Sequence, residues 1–563
     1  MKTRVTIYAA ALFLGPVLVA QGLRDPRLLS KSATSDWPTY HGDYSGQHHS
    51  PLTQINTSNV KGLSLAWIYH ISSQPTGPQT ALRPTANQGR GPAAGAPIDT
   101  AAAGRGRGGA GFFRGPQIKS IPLEVNGVLY FTTPGNAYAV DARTGQEIWR
   151  YPQSGSNGGG LGNRGLAMYS SWLYMEASNN LVSLDAKTGA ERWSIPLAPE
   201  NSPNVSSVAP IVIGNHVIAG VAGDVGRNRG WLEAHDAETG DLQWRWYSTP
   251  DPGQAGFDTW PSEQAVENGG SGPWEPPTYD PELNLLYVPT GNPTPTFDGR
   301  VRKGDNLFSD SVVALNVDTG KMVWYFQYTP HDTHDYDSAQ VPVLFDGVID
   351  GKPRKLLAQA NRTGYFFVLD RTNGKALITK PYIPNLNWAK GLRPTGQPEG
   401  DPAKEPQVGG ALVSPSSDGT ANFEAPAFNP TTGLFYVNST SSWSLFYASP
   451  DPGGAGHSEY TGFIQSKLRA IDYKTGDVKW EHDYPGGAFS VGTYPGLVST
   501  AGNLVFAGDP VGNFIGFDAA TGKILWHSQL SGEATNSPMT FEMDGHQYVT
   551  IAAGDSLYAF YLQ

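Results

Sequence analysis

Short alternating runs such as Ala137-Tyr-Ala-Val140 and Leu181-Val-Ser-Leu184 recur along the chain, and their two-residue period predicts short, half-buried β-strands. Each such run leads into a nine-residue phrase made of an acidic residue or Asn, two variable positions, Thr-Gly, and a Trp four residues after the Gly. The copies start at Asp141, Asp185, Asp236, Asn316, Asp472 and Asp518, and end at Trp149, Trp193, Trp244, Trp324, Trp480 and Trp526. A seventh, Asp370-Arg-Thr-Asn-Gly374, has Ile378 where the Trp would stand. The phrase reads as a turn between the last two strands of a sheet, its Gly supplying positive φ and its Trp packing between neighbouring sheets.

Start-to-start spacings are 44, 51, 80, 54, 102 and 46 residues, and the short ones are the size of one four-stranded propeller blade. Seven phrases predict seven blades. An eighth is assembled from both ends: Tyr548-Val-Thr-Ile-Ala552 and Leu557-Tyr-Ala-Phe560 lack a following phrase, and Leu65-Ala-Trp67-Ile-Tyr69 is a lone strand before the first blade. The predicted fold is therefore an all-β, eight-bladed propeller over residues 36–563, closed by pairing N- and C-terminal strands in one blade. The long spacings place insertions at roughly 251–275 and 380–420, rich in Pro, Gly and Trp, as site-forming loops. Residues 75–117 hold Gly, Ala, Pro and Arg with little apolar pattern and read as a flexible insertion.

Composition agrees with many short strands joined by turns: of 563 residues, 68 are Gly and 45 Pro, and 11% are aromatic. The net charge of -11 leaves no basic excess for phosphate backbones, so no nucleic acid partner is expected. A basic protein partner suits it better. Residues 1–20, with Lys2, Arg4 and an apolar stretch around Ala9–Val19, have the layout of a secretory signal. We therefore expect a periplasmic or secreted protein with no stable membrane insertion once the signal is removed; an uncleaved anchor is the alternative. The absence of Cys rules out disulfides, thiolate metal sites, covalent c-type haem and a lipid-modified cysteine.

Three stretches carry candidate chemistry. Gly269-Gly-Ser-Gly-Pro-Trp274 is followed eighteen residues on by Asn292, in Thr290-Gly-Asn-Pro293; a flat aromatic suits a planar ring system and an amide carbonyl suits a hard cation, though a blade Trp and a turn Asn read equally from spacing. Thr329-Pro-His-Asp-Thr-His-Asp335-Tyr-Asp337 offers a general base, a solvated loop or a poor zinc signature. Asn361-Arg362-Thr-Gly brings a cation that can stabilise a developing oxyanion or form a strand-edge salt bridge.

Taken together, these motifs resemble the quinoprotein alcohol dehydrogenases, and the resemblance runs from about residue 36 to 563. It implies pyrroloquinoline quinone (PQQ) stacked on Trp274, one Ca2+ or lanthanide ion held by Asp224, Asn292, Asp335 and Asp337, Asp335 as catalytic base, and Arg362 beside the quinone oxygens. In Ala219-Gly-Val-Ala-Gly-Asp224, Asp replaces the family's usual Glu. Arg164, in Asn163-Arg-Gly165, stands at the PQQ-carboxylate position, but Gly158 and Gly159 replace the paired cysteines upstream. Ser207 looks like a hydroxyl contact, Lys119 stands where many relatives carry Glu, and Asn422 and Tyr494 are candidate wall residues. If the segment is strand-like, Asp335 and Asp337 face the same side, and the extra Asp matches relatives that use lanthanides. The implied reaction oxidises a primary alcohol to an aldehyde and passes electrons to a separate soluble cytochrome c. A PQQ-dependent sugar or polyol dehydrogenase and a non-catalytic propeller scaffold are the alternatives.

Overall fold

Alternating strands whose two faces are both buried need a sheet on either side, and the chain provides this by arranging its sheets as a ring. The computed structural model describes residues 35–71, 117–152, 164–177, 179–199, 208–222, 228–462, 465–485 and 495–563. The proposed signal at 1–20, nearly all of the 75–117 insertion, and Ser207, Asp224 and Tyr494 lie outside these residues.

Eight blades of four antiparallel strands form among the described residues, and the one that begins at Leu497 gains His49–Ser50 as a fifth strand, paired parallel. The first consists of Leu123–Val125, Val128–Thr133, Asn136–Asp141 and Glu147–Pro152. The second to seventh blades begin at Leu166, Ile211, Thr278, Val343, Ala427 and Leu497. The eighth pairs Met539–Met543, His546–Ala553 and Ser556–Leu562 with the N-terminal strand Leu63–His70, which is the expected closure. First strands such as Leu123–Val125 and Ile211–Ile213 are fully buried. Fourth strands such as Glu191–Pro196 alternate toward solvent. The chain thus starts each blade at the axis and works outward.

The nine-residue phrases join third and fourth strands, and each Trp docks on the next blade. Trp149, Trp244, Trp324 and Trp480 donate from Nε1 to Ala186, Val317, Arg371 and Ala519 carbonyls at 2.9, 2.8, 3.2 and 3.2 Å. Trp67, outside the repeat, reaches Ala142 O at 3.1 Å, and Trp526 closes the circle on Leu63 O at 3.0 Å. The rings lie flat on the phrase Gly of the following blade: a Cβ on Gly320, whose φ is +65°, would stand 2.6 Å from Trp244 Cε3. Where Ile378 replaces Trp, its Cγ2 lies 3.1 Å from the Cβ position of Gly476, so an aliphatic fills the same seat.

Sequence reading missed the role of the segment before Leu63. Its backbone crosses the innermost strands in turn, pairing Trp37 with Glu124 and accepting at Tyr44 O, Ser45 O, Gln47 O and His48 O from Tyr279, Leu344, Phe428 and Ser499 amides at 2.9, 2.8, 2.8 and 2.9 Å. The 380–420 insertion forms the hairpin Ala389–Leu392 with Pro398–Gly400, and Ala411–Val413 pairs with Ser444–Tyr447, so the insertion extends further than its composition indicated. The 251–275 insertion contains the short α-helix Glu263–Glu267. No helix among the described residues is long and apolar enough to cross a membrane.

The docking geometry makes a stability comparison. Gly320→Ala adds a clash with Trp244 to the cost of positive φ, whereas Gly214, at φ +60°, has open space around its Cβ position. We expect losses of about 3 kcal/mol for Gly320→Ala and about 1 kcal/mol for Gly214→Ala in urea unfolding. Equal losses would mean that the Trp seat contributes nothing beyond backbone conformation.

Candidate active site

Because every blade repeats the same antiparallel order from the axis outward, the approach to its first strand and the end of its second lie at one end of the ring. The candidate residues occupy those positions. Lys119, Arg164, Trp274, Asp335, Asp337 and Asn422 precede first strands; Asn292 and Arg362 follow the second strands Leu285–Pro289 and Lys352–Ala360. The phrase turns fall at the opposite end.

Five candidates form one bonded network. Arg362 Nη1 pairs with Asp337 Oδ2, and its Nη2 lies 3.7 Å from Asp335 Oδ2. Asp337 Oδ1 accepts from the Asn292 amide at 2.7 Å, and the Trp274 indole N–H also donates to this carboxylate. Gly291 is required here: a Cβ would stand 2.7 Å from Asp337 Oδ1 and 3.1 Å from Trp274 Nε1. The Asn292 side-chain amide donates to Pro293 O at 3.2 Å and Thr296 Oγ1 at 3.1 Å.

Asp335 and Asp337 do converge, but not by strand alternation. The segment is a loop, and Asp335 has φ +68°. Asp332 shapes it: its carboxylate accepts from the His334 amide at 3.0 Å and the Tyr336 amide at 2.9 Å, while Tyr336 anchors the turn on Pro415 O at 2.6 Å. His334 is spent on Lys404 O at 2.8 Å and His331 on Gly304 O at 2.7 Å, so the two histidines do not share a metal. Among the described residues no three His, Cys, Asp or Glu side chains gather as a metal group.

Charge follows from burial. Desolvation raises the Asp337 carboxyl, opposed by Arg362 and the hydrogen bonds from Asn292 and Trp274. Burial by itself would lower the Arg362 guanidinium, but Asp337 and Asp335 hold it above its ordinary range. Asp335 is the accessible member, with 31% of its side chain exposed against 6% for Arg362.

Beside this network, Arg164 places its guanidinium carbon 4.8 Å from the Trp274 ring centre and 3.9 Å from that of Phe423. Half-buried Lys119 is lowered by burial and by Arg164, and raised in part by Glu424. Asn422 donates to Asp418 O at 3.2 Å. Sequence reading missed Phe423, Glu424 and Glu275; the one available signal was an acid directly after Trp274 and another two residues after Asn422. The half-buried indole, the cations Arg164 and Lys119, and the covered Nε atoms of Arg164 and Arg362, which lack acceptors, fit a flat, polyanionic quinone. Oxygen donors from Asn292, Asp335 and Asp337 fit a hard cation.

A family profile described as "Glucose/ethanol/alcohol dehydrogenase, beta-propeller domain" matches residues 37–384 and 466–549. The quinohemoprotein alcohol dehydrogenase of Comamonas testosteroni is 35% identical over 569 residues, covering 92% of this chain and 73% of its own length. The quinoprotein alcohol dehydrogenase PedH of Pseudomonas putida is 32% identical, covering 90% and 84%. Among solved structures, the Comamonas testosteroni enzyme matches with a TM-score of 0.81 at 31% identity over 96% of this chain and 82% of that one. A europium-containing methanol dehydrogenase matches with 0.79 at 26% identity over 95% and 99%.

Removing the cation at the centre of the network exposes its worth. Arg362→Met strands the Asp337 carboxylate in a buried site, and we expect a loss of about 3 kcal/mol in urea unfolding. Adding Asp337→Asn restores part of that loss, whereas simple addition of the two effects would show that the pair is not coupled.

Proposed function

Since the chain belongs to the PQQ-dependent quinoprotein alcohol dehydrogenases, we propose that it oxidises a small primary alcohol to the aldehyde in the periplasm and passes the electrons to a separate soluble cytochrome c. The observation that carries the reading is the network Trp274–Asp337–Arg362–Asp335, in which a stacking aromatic, a fixed cation and an accessible carboxylate share one end of the ring.

PQQ, when bound, supplies the two-electron acceptor for the hydride equivalent of the alcohol. Trp274 provides the flat face that orients it, with Arg164, Lys119 and Asn422 as the surrounding contacts among the described residues; Ser207 and Tyr494 stay contacts that the family resemblance implies. Asp335 takes the hydroxyl proton on its carboxylate. Arg362, whose Nη2 lies 3.7 Å from Asp335 Oδ2, presents its own N–H groups to the oxygen on which negative charge develops. Asp224, Asn292, Asp335 and Asp337 would hold one hard cation, a Lewis acid toward a carbonyl oxygen. With three carboxylates in this set, a trivalent lanthanide is favoured over Ca2+ by charge, and the europium-containing relative is in keeping with that choice. The chain's lack of Cys leaves it no covalent haem, and its net charge of -11 suits a basic electron acceptor.

Two experiments test this. Apoprotein titrated with PQQ and the metal should bind the quinone in wild type and in Asp335→Ala, while Asp335→Ala loses turnover by about 1,000-fold or more with an artificial electron acceptor; Trp274→Ala should instead lose PQQ retention. An Asp335→Ala variant with full activity refutes the base assignment. For the ion, reconstitution with lanthanum should outperform calcium, and Asp337→Ala should narrow the difference. Full activity with calcium alone, unchanged in Asp337→Ala, overturns the lanthanide reading and leaves the quinone assignment standing.

A further inference from the structure

Two acids that the mechanism does not use share the charge of Arg164. Glu275 directly follows Trp274, and its side chain is 0% exposed. One oxygen lies 2.9 Å from Arg164 Nη1, an ion contact without hydrogen-bond alignment, and neither carboxyl oxygen has a hydrogen-bond partner. Glu424 arrives from the segment leading into the sixth blade, and its Oε1 is equally covered and unpartnered. Arg164 Nε, between them, has no acceptor. Buried polar atoms are ordinarily paired, so a cluster of orphaned oxygens and an orphaned N–H against a stacking aromatic marks a place built for a polar ligand.

The charge state decides what that ligand meets. Burial pushes both carboxyls up to about 8; Arg164 opposes the rise at Glu275, to which Glu424 adds, and a backbone hydrogen bond, Arg164, Lys119 and Arg362 oppose it at Glu424. The other titratable groups facing them are Tyr40, itself raised by burial and by Glu275, and, around Glu424, Lys119 and Arg362. A protonated carboxyl carries one O–H donor; an ionised one only accepts. A pocket with two cations and two neutral donors receives a polyanion, and the same pocket with two carboxylates repels it.

We propose that Glu275 and Glu424, as carboxylic acids, donate hydrogen bonds to the carboxylates of the bound quinone alongside Arg164 and Lys119, which makes cofactor loading proton-coupled. The inference rests on the PQQ reading above. Glu275 and Glu424 release their protons as pH rises through about 8 in the empty site, so affinity is full below that range and falls above it.

The test is equilibrium titration of apoprotein with PQQ at constant ionic strength, followed by quenching of tryptophan fluorescence. Wild-type Kd should rise roughly tenfold for each acid between about pH 7 and about pH 9. Glu275→Gln and Glu424→Gln each keep an N–H donor without titrating, so each should flatten the slope by its own share and the double variant should remove it. Each single variant reports separately, so failure of one to fold leaves the other decisive, and circular dichroism checks the fold. A wild-type Kd that does not change with pH overturns the proposal, as does a slope that survives in the Gln variants and disappears in Lys119→Met. Failure of PQQ to bind at any pH overturns the quinone reading together with this one.

Discussion

The seating of a blade's tryptophan on the positive-φ glycine of the next blade, as for Trp149, Trp244, Trp324 and Trp480 on Gly189, Gly320, Gly374 and Gly522, is the contact on which the molecule depends. A four-stranded sheet with two apolar faces is not stable alone, and burying both faces requires neighbours at a fixed spacing. The indole supplies that spacing through its thickness and fixes the register through its Nε1–H bond to a carbonyl of the adjoining phrase, as in Trp244 on Val317 O at 2.8 Å. Because Trp67 and Trp526 make the same bonds at the seam, the ring closes with the interaction that builds it. All of these contacts sit on the turns between third and fourth strands, at the end of the ring away from the chemistry. Loops at the other end are thereby released from structural duty, which is why insertions are tolerated there.

Those loops nevertheless hold charges at fixed positions, and the electrostatics explain how. Arg362 is buried with two carboxylates in reach, an arrangement that costs desolvation and repays it only with good geometry. The geometry comes from rigid surroundings: Asp332 ties the backbone around Asp335, Gly291 lets the Asn292 strand approach Asp337, and the Asn292 amide and Trp274 indole satisfy the remaining oxygen. Asp337 holds the guanidinium through Oδ2. Asp335 lies further off, at 3.7 Å, and is partly exposed.

The ring was legible because its signal repeats: seven copies of a phrase with a compulsory glycine fix blade number and boundary even where Ile378 stands for Trp, and the lone strand around Trp67 could only be paired with the unmatched C-terminal strands. Trp274, Asn292, Asp335 and Arg362 were picked out as a set by the family resemblance, and the fold brings them to one end of the ring. Parity failed for Asp335 and Asp337, since the sign of φ at Asp335 follows from Asp332 accepting two amide bonds, a tertiary detail that alternation does not encode. Glu275 and Glu424 were not legible at all. They are 149 residues apart, and an acid in a Pro-rich loop looks solvated until the ring brings two such loops around Arg164.

The segment before the first blade links these two halves of the molecule. It belongs to no repeat, yet it hydrogen-bonds to the innermost strands of several blades. Tyr40 lies against Gly165, with ring carbons 3.0 and 3.3 Å from where a Cβ would stand, and its charge environment is set by Glu275, Arg164 and Glu424. A displacement of this segment would therefore be felt at once by several inner strands and by the base of the cofactor pocket. A site assembled from loops of different blades needs a common reference if its charges are to stay within hydrogen-bond tolerance of one another, and a strand crossing the axis provides one that outward-facing tryptophans cannot.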